Sequence, residues 1–387
     1  MKSVVPWGAS LRTQVLIPSS PYAPRPPGPK CLYTSPMPSV SDRLRAMIGD
    51  QGPITFARFM EEALYGEGGY YSRETLNIGV EGDFITGSSY SPLFARATAR
   101  TLARLGDALG HPADFLEVGY GNGTHLRGLA ESSEPTLPGR LMGCDRVQRP
   151  LPGRIETVAS LDNVKSDQLE GMVFSYELFD ALPIHRLIGL GAGKVGELLV
   201  AVEADGSFVW KEAGLSDPDL EDLFAGQQGL LEPGQIGDLS PGWRPLYRQM
   251  AEKLRRGLLV TCDYGFPRRQ LLDRRVRFNG TLACYRRQRV HRNPLIGVGE
   301  QDLTAHIDFT ALMEEGEAQG LETVALTRQA AWLTSSGIFE GLAEADQKER
   351  LEAITLLDPA GMGGEIRVLV QVRDLDVDEI LDTSYLL

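Results

Sequence analysis

Residues 115–126 read FLEVGYGNGTHL, and this stretch decides the fold that we expect. Phe115 to Val118 is a short apolar run typical of a buried strand, and Glu117 lies near its end. A helix is predicted from Thr124 to Ala130. Between them three glycines alternate, at Gly119, Gly121 and Gly123. Glycines in this pattern let a ligand approach the backbone closely, so the loop is predicted to bind something flat or anionic.

Two common phosphate-binding patterns do not match this loop. The GxGxxG pattern would need a glycine at position 124, which is Thr124, and GxxxxGK[ST] is absent from the chain. The spacing E-x-G-x-G-x-G is instead typical of S-adenosylmethionine methyltransferases. Glycines also serve turns that bind nothing, so a purely structural turn remains the alternative at this point.

Carboxylates follow two further predicted strands. Arg140 to Cys144 is followed by Asp145, which can accept hydrogen bonds from both ribose hydroxyls of an adenosine. After the run Gly171 to Phe174 come Glu177 and Asp180, which could hold a guanidinium or ammonium group between them. The simpler alternatives are a turn aspartate for the first and an acidic helix cap for the other two.

The remaining patterns outline an α/β chain. Helical spacing predicts a helix pair within 40–65 and a helix over 92–109, with a Gly- and Tyr-rich loop at 66–91 between them. Strands are predicted at 258–262 and 366–372, and Asp205-Gly206 predicts a hairpin inside an inserted arm. We therefore expect a leader at 1–39, a helical region at 40–111, a core at 112–373 with the arm at about 184–243, and a tail at 374–387.

Composition excludes several classes of protein. With 42% hydrophobic and 24% charged residues the chain has the makeup of a folded globular protein. Its formal net charge of -13 argues against nucleic acid as the main partner. No apolar run approaches the roughly 20 residues that span a bilayer, so no membrane insertion is expected. The cysteines are far apart, which predicts neither a disulfide framework nor a zinc site: Cys31, Cys144, Cys262 and Cys284.

The leader contains four basic and no acidic residues up to position 41, and it is rich in proline. Because prolines at 24, 26, 27 and 29 are incompatible with an amphipathic helix, we expect a disordered tail or an over-long start, with a transit peptide as the alternative. The expected location is the cytoplasm of a bacterium, and the mitochondrial matrix is the alternative.

Taken together, the motifs resemble the MidA family, methyltransferases whose mitochondrial member assists respiratory complex I assembly and which have bacterial relatives. The resemblance spans most of residues 50–373. Besides the glycine loop, its segments are 52–60 (GPITFARFM), 82–86 (GDFIT), 91–94 (SPLF), 177–183 (ELFDALP), 263–265 (DYG), 280–282 (GTL), 299–309 (GEQDLTAHIDF) and 361–363 (GMG).

This resemblance implies a class I methyltransferase of the Rossmann-like kind, with a seven-stranded sheet, a helical N-terminal extension and S-adenosyl-L-methionine as cofactor. It also implies arginine methylation on a protein substrate, such as a respiratory-complex subunit. We expect Glu177, Asp180 and Asp263 on the substrate side. The expected cofactor-binding residues are Glu117, Gly119, Gly121, Gly123, Asp145 and Tyr176. The chain departs from the family pattern at Tyr120, Asn122, Tyr176 and Gln288.

Two other functions stay open from the sequence. One is a methyltransferase acting on a small molecule, and the other is an assembly factor that binds S-adenosylmethionine without catalysis. His306 invites a role as general base, although a lone histidine is more often structural. No HxxxH or HExxH spacing is present, so no metal site is expected.

Overall fold

The computed structural model describes residues 38–73, 86–132, 138–217, 220, 231–287 and 289–386. Most of the predicted leader lies outside the described residues, and so do Gln288 and parts of the Gly- and Tyr-rich loop and of the arm. From Pro38 onward the described residues pack as one unit.

The described helices are α1 (Val40–Gln51), α2 (Phe56–Leu64), α3 (Gly87–Tyr90), α4 (Pro92–Leu109), α5 (Thr124–Ala130), α6 (Trp243–Lys253), α7 (Arg268–Leu271), α8 (Arg274–Arg277), α9 (Phe309–Ala318), α10 (Gln329–Ser335), α11 (Gln347–Leu357) and α12 (Met362–Glu365). Short 3₁₀ turns lie at Leu161–Asn163, Val377–Glu379 and Thr383–Tyr385.

The described strands are β1 (Ile54–Thr55), β2 (Asp114–Val118), β3 (Leu141–Cys144), β4 (Ile155–Val158), β5 (Leu169–Tyr176), β6 (His185–Gly191), β7 (Lys194–Val202), β8 (Phe208–Ala213), β9 (Ile236–Leu239), β10 (Leu254–Phe266), β11 (Ala283–Arg286), β12 (Arg289–His291), β13 (Asp302–Thr304), β14 (Ile307–Asp308), β15 (Glu322–Arg328) and β16 (Ile366–Arg373).

Caps set the ends of the predicted N-terminal helices. The Oγ of Ser39 accepts a hydrogen bond from the N–H of Asp42 at the start of α1. Helix α4 starts with Pro92 after the capping Ser91, and it ends at Gly110, whose φ is 80°. The predicted helices within 40–65 and over 92–109 are thus present. The short α3 inside the Gly- and Tyr-rich loop was not predicted.

The main sheet has the order β15, β16, β10, β5, β2, β3, β4, with the two-residue β14 beside the end of β10. Strand β16 runs antiparallel to both of its neighbours, whereas β2, β3, β4, β5 and β10 are parallel. This confirms the predicted α/β fold and its seven strands, and β14 adds an eighth. The strand order reverses between β2 and β5, which in open α/β sheets is where ligands bind.

Both faces of the main sheet are covered. Side chains such as Phe115 and Phe174 pack on one face with α4 and α5. Alternate residues such as Leu116 and Val173 pack on the other face with α6 and α9. Burial on both sides explains why these strands read as continuous apolar runs in the sequence.

The inserted arm is larger than the predicted hairpin. Strands β7 and β8 form that hairpin around Asp205-Gly206, pairing Val202 with Phe208. Strand β8 pairs along one edge of β7, and the other edge pairs with β6 and, further along, with the two residues of β1, while β9 extends the sheet beyond β6. The arm is therefore joined to the N-terminal helical region by β-pairing. Within it, residues 218–219 and 221–230 lie outside the described part.

A third small sheet, in the order β12, β11, β13, completes this end of the molecule. Its buried side chains join those of α1, α2 and the arm in one apolar cluster, which includes Leu44, Phe59, Val200 and Cys284. These elements come from three separate parts of the chain. They lie beyond the carboxyl edge of the main sheet and cover it.

Candidate functional site

A cavity of about 380 Å³ opens at the carboxyl ends of β2, β3 and β5. Its volume is in the range of small-molecule sites. The predicted site residues that line it are Glu117, Gly119, Gly121, Asp145, Tyr176 and Glu177. The structure thus brings together residues from three strand ends that are far apart in sequence. Gly123, Asp180 and Asp263 are not among the lining residues.

The loop after β2 requires its glycines. Gly119, Gly121 and Gly123 have φ values of 77°, 54° and 72°, a region that side chains other than glycine rarely adopt. A Cβ atom on Gly119 would lie 2.7 Å from Leu178, and one on Gly123 would lie 2.3 Å from Leu151. Gly119 and Gly123 therefore both allow close packing of a leucine side chain, and Gly119 and Gly121 also line the cavity.

Asp145 closes the cavity from the end of β3. Its Oδ2 accepts a hydrogen bond from the N–H of Gly121 at 2.9 Å, and its Oδ1 accepts one from Val147 at 3.0 Å. Burial raises the pKa of this carboxyl. Each oxygen keeps a further lone pair, so the carboxylate can still accept hydrogen bonds from a ligand's hydroxyl groups.

Two of the residues that depart from the family pattern have local partners. The hydroxyl of Tyr120 accepts a hydrogen bond from the N–H of Arg149 at 2.9 Å and donates one to its carbonyl at 3.2 Å. The Oδ1 of Asn122 accepts the N–H of Thr124 at 3.0 Å and so caps α5. Both side chains stabilise the glycine loop, and Gln288 lies outside the described residues.

Arg149 is a site residue that the sequence did not reveal. Its Nη2 donates to the carbonyl oxygens of Tyr71 and Arg73, at 3.0 and 2.9 Å. It therefore ties the segment after α2 to the glycine loop across the mouth of the cavity. No motif marks it, because its partners are backbone atoms about 76 residues away in the chain.

A buried pair, Glu117 and His125, lies behind the glycine loop. The Nδ1 of His125 is 3.3 Å from the Oε2 of Glu117, and both residues are 3% exposed. The Nε2 of His125 is 3.2 Å from the Oγ1 of Thr98 on α4. Both members line the cavity. The sequence singled out Glu117 and missed His125, although its place on the first turn of α5 was visible.

Glu177 has the most unusual surroundings of the predicted residues. Its φ of 48° places a side chain where glycine is normally found, and such strain often marks functional positions. Its N–H donates to the carbonyl of Cys262 at 2.9 Å, which fixes the turn. Its Oε1 is buried without a hydrogen-bond partner. Burial, together with the nearby Asp263 and Asp302, raises its pKa well above the ordinary value.

This raised pKa predicts a pH-dependent effect of Glu177→Gln on stability. Folded Glu177 keeps its proton above the usual value of 4.5, while the unfolded chain releases it there, so the wild type loses stability as the pH rises. Glutamine has no such proton. By scanning calorimetry we expect the variant to melt at a higher temperature than the wild type near pH 8, with little change near pH 4.5. The exposed Glu365→Gln is the control, and an unchanged Glu177→Gln melting temperature near pH 8 would contradict the burial.

Asp263 supports the turn that carries Glu177. It is fully buried, and its Oδ2 accepts the N–H groups of Leu178 and Phe179, at 3.2 and 2.8 Å. Its Oδ1 accepts the N–H of Tyr264 at 2.8 Å, and burial raises its pKa to about 7. The sequence placed Asp263 on the substrate side. In the structure its carboxylate accepts backbone N–H groups, and Asp263 is not among the residues that line the cavity.

Asp180 and Asp302 complete an acidic cluster next to the cavity. Each is 3% exposed. Burial, followed by the charges of Asp263 and Glu177, raises the pKa of Asp180 well above its ordinary value. Asp302, which the sequence did not single out, accepts a hydrogen bond from the hydroxyl of Tyr71 at 2.8 Å. Four carboxyl groups from β5, β10 and β13 thus collect at one place, behind Glu177.

Tyr176 links the cavity wall to two distant segments. Its hydroxyl accepts the N–H of Gly87 at 3.1 Å and donates to the Oε1 of Gln329 at 2.6 Å. The side chain is 5% exposed and lines the cavity. With its hydroxyl occupied in this way, Tyr176 offers a ligand mainly its ring.

His306 lies outside the cavity. Its ring is near those of Tyr264 and Phe266, with centroids 6.5 and 5.4 Å away. Burial lowers its pKa to about 4, so it is neutral near pH 7 and a weak base. These surroundings favour the structural interpretation over a general base. Among the described residues no group of side chains has the arrangement of a metal site, and no helix is long and apolar enough to cross a bilayer.

The cavity fits the cofactor expected from the sequence. Gly119 and Gly121, which have no side chains, line the cavity, so a ligand in it can approach the backbone of the loop closely. Asp145 lies at the end of the adjacent strand, where it can accept the ribose hydroxyls of an adenosine. Glu177 lines the same cavity, directly after the end of β5.

Comparison with known proteins agrees with the cofactor expected from the sequence. A model of S-adenosyl-L-methionine-dependent methyltransferases matches residues 93–327. The protein arginine methyltransferase NDUFAF7 homolog of Drosophila melanogaster, a mitochondrial protein, is 26% identical over 334 residues, covering 73% of this chain and 71% of its own. Mitochondrial protein arginine methyltransferase NDUFAF7 of Mus musculus is 24% identical over 357 residues, covering 80% and 78%.

Solved structures are similar over most of their length. A COG1565 superfamily member from Burkholderia thailandensis, bound to S-adenosyl-homocysteine, has a TM-score of 0.76 and 29% identity, covering 87% of this chain and 92% of its own. A native crystal structure of a COG1565 protein from the same organism gives 0.74 with the same identity and coverage. The predicted resemblance to the MidA family is confirmed. This chain therefore belongs to the S-adenosyl-L-methionine-dependent methyltransferases, and S-adenosyl-L-methionine is its cofactor.

Proposed function

We propose that this enzyme methylates a guanidinium nitrogen of an arginine in a protein substrate. Both curated relatives named above are called protein arginine methyltransferases. The observation that carries the proposal for this chain is Glu177, whose unpartnered carboxyl oxygen lies at the cavity in front of three further carboxyl groups. A cation is the ligand that such a place favours.

When bound, S-adenosylmethionine supplies an electrophilic methyl group. Arginine is protonated at any ordinary pH, so its nitrogen needs a nearby carboxylate that orients the guanidinium and stabilises its charge. We assign this role to Glu177, and a secondary electrostatic one to Asp180 behind it. The new N–C bond would form as the bond between sulfur and methyl carbon breaks, S-adenosyl-homocysteine leaves and a guanidinium proton is lost. Glu177, ionised when the cation binds, has the raised pKa that suits it to accept that proton.

Aromatic rings in the wall of the cavity suit a guanidinium as the acceptor. The hydroxyl of Tyr65 donates to the carbonyl of Ala181 at 2.9 Å, and its ring stacks on Tyr71 with centroids 5.6 Å apart. These two rings form part of the cavity wall. Flat aromatic walls beside carboxylates match the shape of a guanidinium. For the location we propose the bacterial cytoplasm or the mitochondrial matrix, the latter in line with the relatives' names.

The proposal is tested by identifying the methylated residue. Purified protein is incubated with radiolabelled S-adenosylmethionine and a cell extract, and the labelled proteins are hydrolysed to amino acids. We expect the label in methylarginine. Label only in small metabolites would favour the small-molecule alternative. Tight cofactor binding by calorimetry, without any labelled acceptor across many extracts, would favour the assembly factor.

A further inference from the structure

A strongly basic segment lies beside the acidic cluster. Residues 268–292 contain nine arginines and one acidic residue, Asp273, in a chain whose formal net charge is -13. Several of these arginines are neutralised locally: Arg268 pairs with Asp308, Arg274 with Glu232 and Arg275 with Asp273. Arg277 forms no ion pair with any described residue, and its Nη1 donates to the backbone carbonyl of Gln270 at 2.7 Å.

Arg277 meets two further arginines from the edge of the main sheet. Its guanidinium carbon lies 3.7 Å from the centroid of the Phe266 ring, and that of Arg367 lies 5.6 Å from the same centroid. Arg328 is the cross-strand partner of Arg367 in the pairing of β15 with β16. Like charges placed directly opposite in neighbouring strands destabilise a sheet. Two cations thus lie at one aromatic ring, and a third is paired directly with one of them in the neighbouring strand.

No described carboxylate forms an ion pair with Arg277, Arg328 or Arg367. Asp263 is opposite Arg367 in the pairing of β10 with β16, but its oxygens accept backbone N–H groups instead. Partial burial lowers the pKa of Arg277, and burial with the neighbouring Arg328 and Arg277 lowers that of Arg367. An arrangement of this kind is stabilised by an anion, and no residue in the described part of the chain supplies one as an ion-pair partner.

Arg277, Arg328 and Arg367, here called the arginine cluster, lie near the active site. Glu177 is hydrogen-bonded to Cys262, and Phe266 lies four residues further along the same strand, roughly 13 Å away at the rise of a β-strand. Roughly four residues of extended peptide span that distance. Val276 and Phe278, on either side of Arg277, are 71% and 43% exposed and offer apolar contacts to such a peptide.

We propose that Arg277, Arg328 and Arg367 bind acidic side chains of the protein substrate, within about four residues of the arginine that is methylated. This inference rests on the proposed function and names the substrate class more closely. The occupant is an acidic peptide rather than nucleic acid, because the rest of the chain is strongly negative and repels a polyanion. The carboxylates of one short segment fit three cations beside an acidic pocket for its arginine.

The test uses two synthetic peptides of about 13 residues, each with a central arginine. One has glutamates at three flanking positions, and the other has glutamines there. With the full chain and S-adenosylmethionine, we expect the KM for the glutamate peptide to be lower by about tenfold or more, at a similar kcat. The double variant Arg277→Gln with Arg367→Gln should lose this preference and still methylate the glutamine peptide at the wild-type rate.

Arg275→Gln is the matched control, because it removes the same charge from the same helix but its side chain is 83% exposed and pairs with Asp273. It should keep the preference. The double variant should melt at the wild-type temperature or above, since it relieves repulsion between like charges. Equal KM values for the two peptides with the wild type, or an unchanged preference in the double variant, would refute the inference.

A binding measurement separates this inference from the proposed function. Fluorescence anisotropy is used with glutamate and glutamine peptides whose arginine is replaced by neutral citrulline. Tighter binding of the glutamate peptide, lost in the double variant, would support the arginine cluster even if no arginine were methylated. Equal binding of the two, with methylation of both arginine peptides, would refute the cluster and leave the proposed function intact. Equally tight binding of a single-stranded RNA would assign the surface to nucleic acid instead.

Discussion

Replacing Glu177 by glutamine is expected to slow methyl transfer by about 30- to 150-fold and to leave the affinity for S-adenosylmethionine nearly unchanged. Glutamine keeps the shape of the side chain and one acceptor oxygen. It cannot carry the negative charge that holds a guanidinium, and it cannot take up the proton released as the N–C bond forms. The loss of one charge-assisted contact sets the size of the effect.

The measurement follows radiolabelled methyl groups into protein under saturating cofactor, with calorimetry reporting cofactor affinity separately. Glu365→Gln is a suitable control, because Glu365 is exposed and its charge also acts on Tyr264, next to Glu177. It should retain activity within about threefold. If Glu177→Gln transfers methyl groups as fast as the wild type, the guanidinium is held elsewhere and the assignment to Glu177 is wrong.

The sequence predicted well those residues of the cavity wall whose signal lies in adjacent positions of the chain. The glycine loop, Asp145 and Glu177 each directly follow an apolar run, and the carboxyl ends of parallel strands meet at one edge. Strand ends therefore predict which side chains face the cavity without any knowledge of side-chain packing. Gly119, Gly121, Asp145 and Glu177 all line it.

Features that depend on distant pairing could not be predicted in this way. The two residues of β1 pair with β7 across more than 140 positions, so the arm's union with the N-terminal helices has no local signal. Asp263 follows a strand just as Glu177 does, yet its side chain turns to the backbone N–H groups of Leu178 and Phe179. The number of arginines in 268–292 is visible in the sequence, but the meeting of Arg277 with the distant Arg367 at the Phe266 ring has no local signal.

A valine at position 121 is expected to weaken cofactor binding by about 100-fold or more. Gly121 has a φ of 54°, which a β-branched residue adopts only under strain, and it lines the cavity. Its N–H also donates to Asp145, so a shift of the loop would move the carboxylate that is expected to hold the ribose. The strain at position 121 and the movement of Asp145 would each weaken binding of the cofactor. The measurement is calorimetric titration with S-adenosyl-homocysteine, which avoids turnover.

The effect of backbone strain on stability must be separated from a direct effect on cofactor binding. A valine at Gly153 allows this separation. Gly153 has a φ of 74°, a Cβ atom there would meet nothing within 4 Å, and it does not line the cavity. Gly153→Val should therefore lower the melting temperature through backbone strain while binding the cofactor as the wild type does. Gly121→Ala, with a smaller side chain at the same φ, should fall between wild type and Gly121→Val in affinity. If Gly121→Val binds as tightly as the wild type, the cofactor does not lie against this loop, and the carboxylate of Asp145 has no ribose to hold.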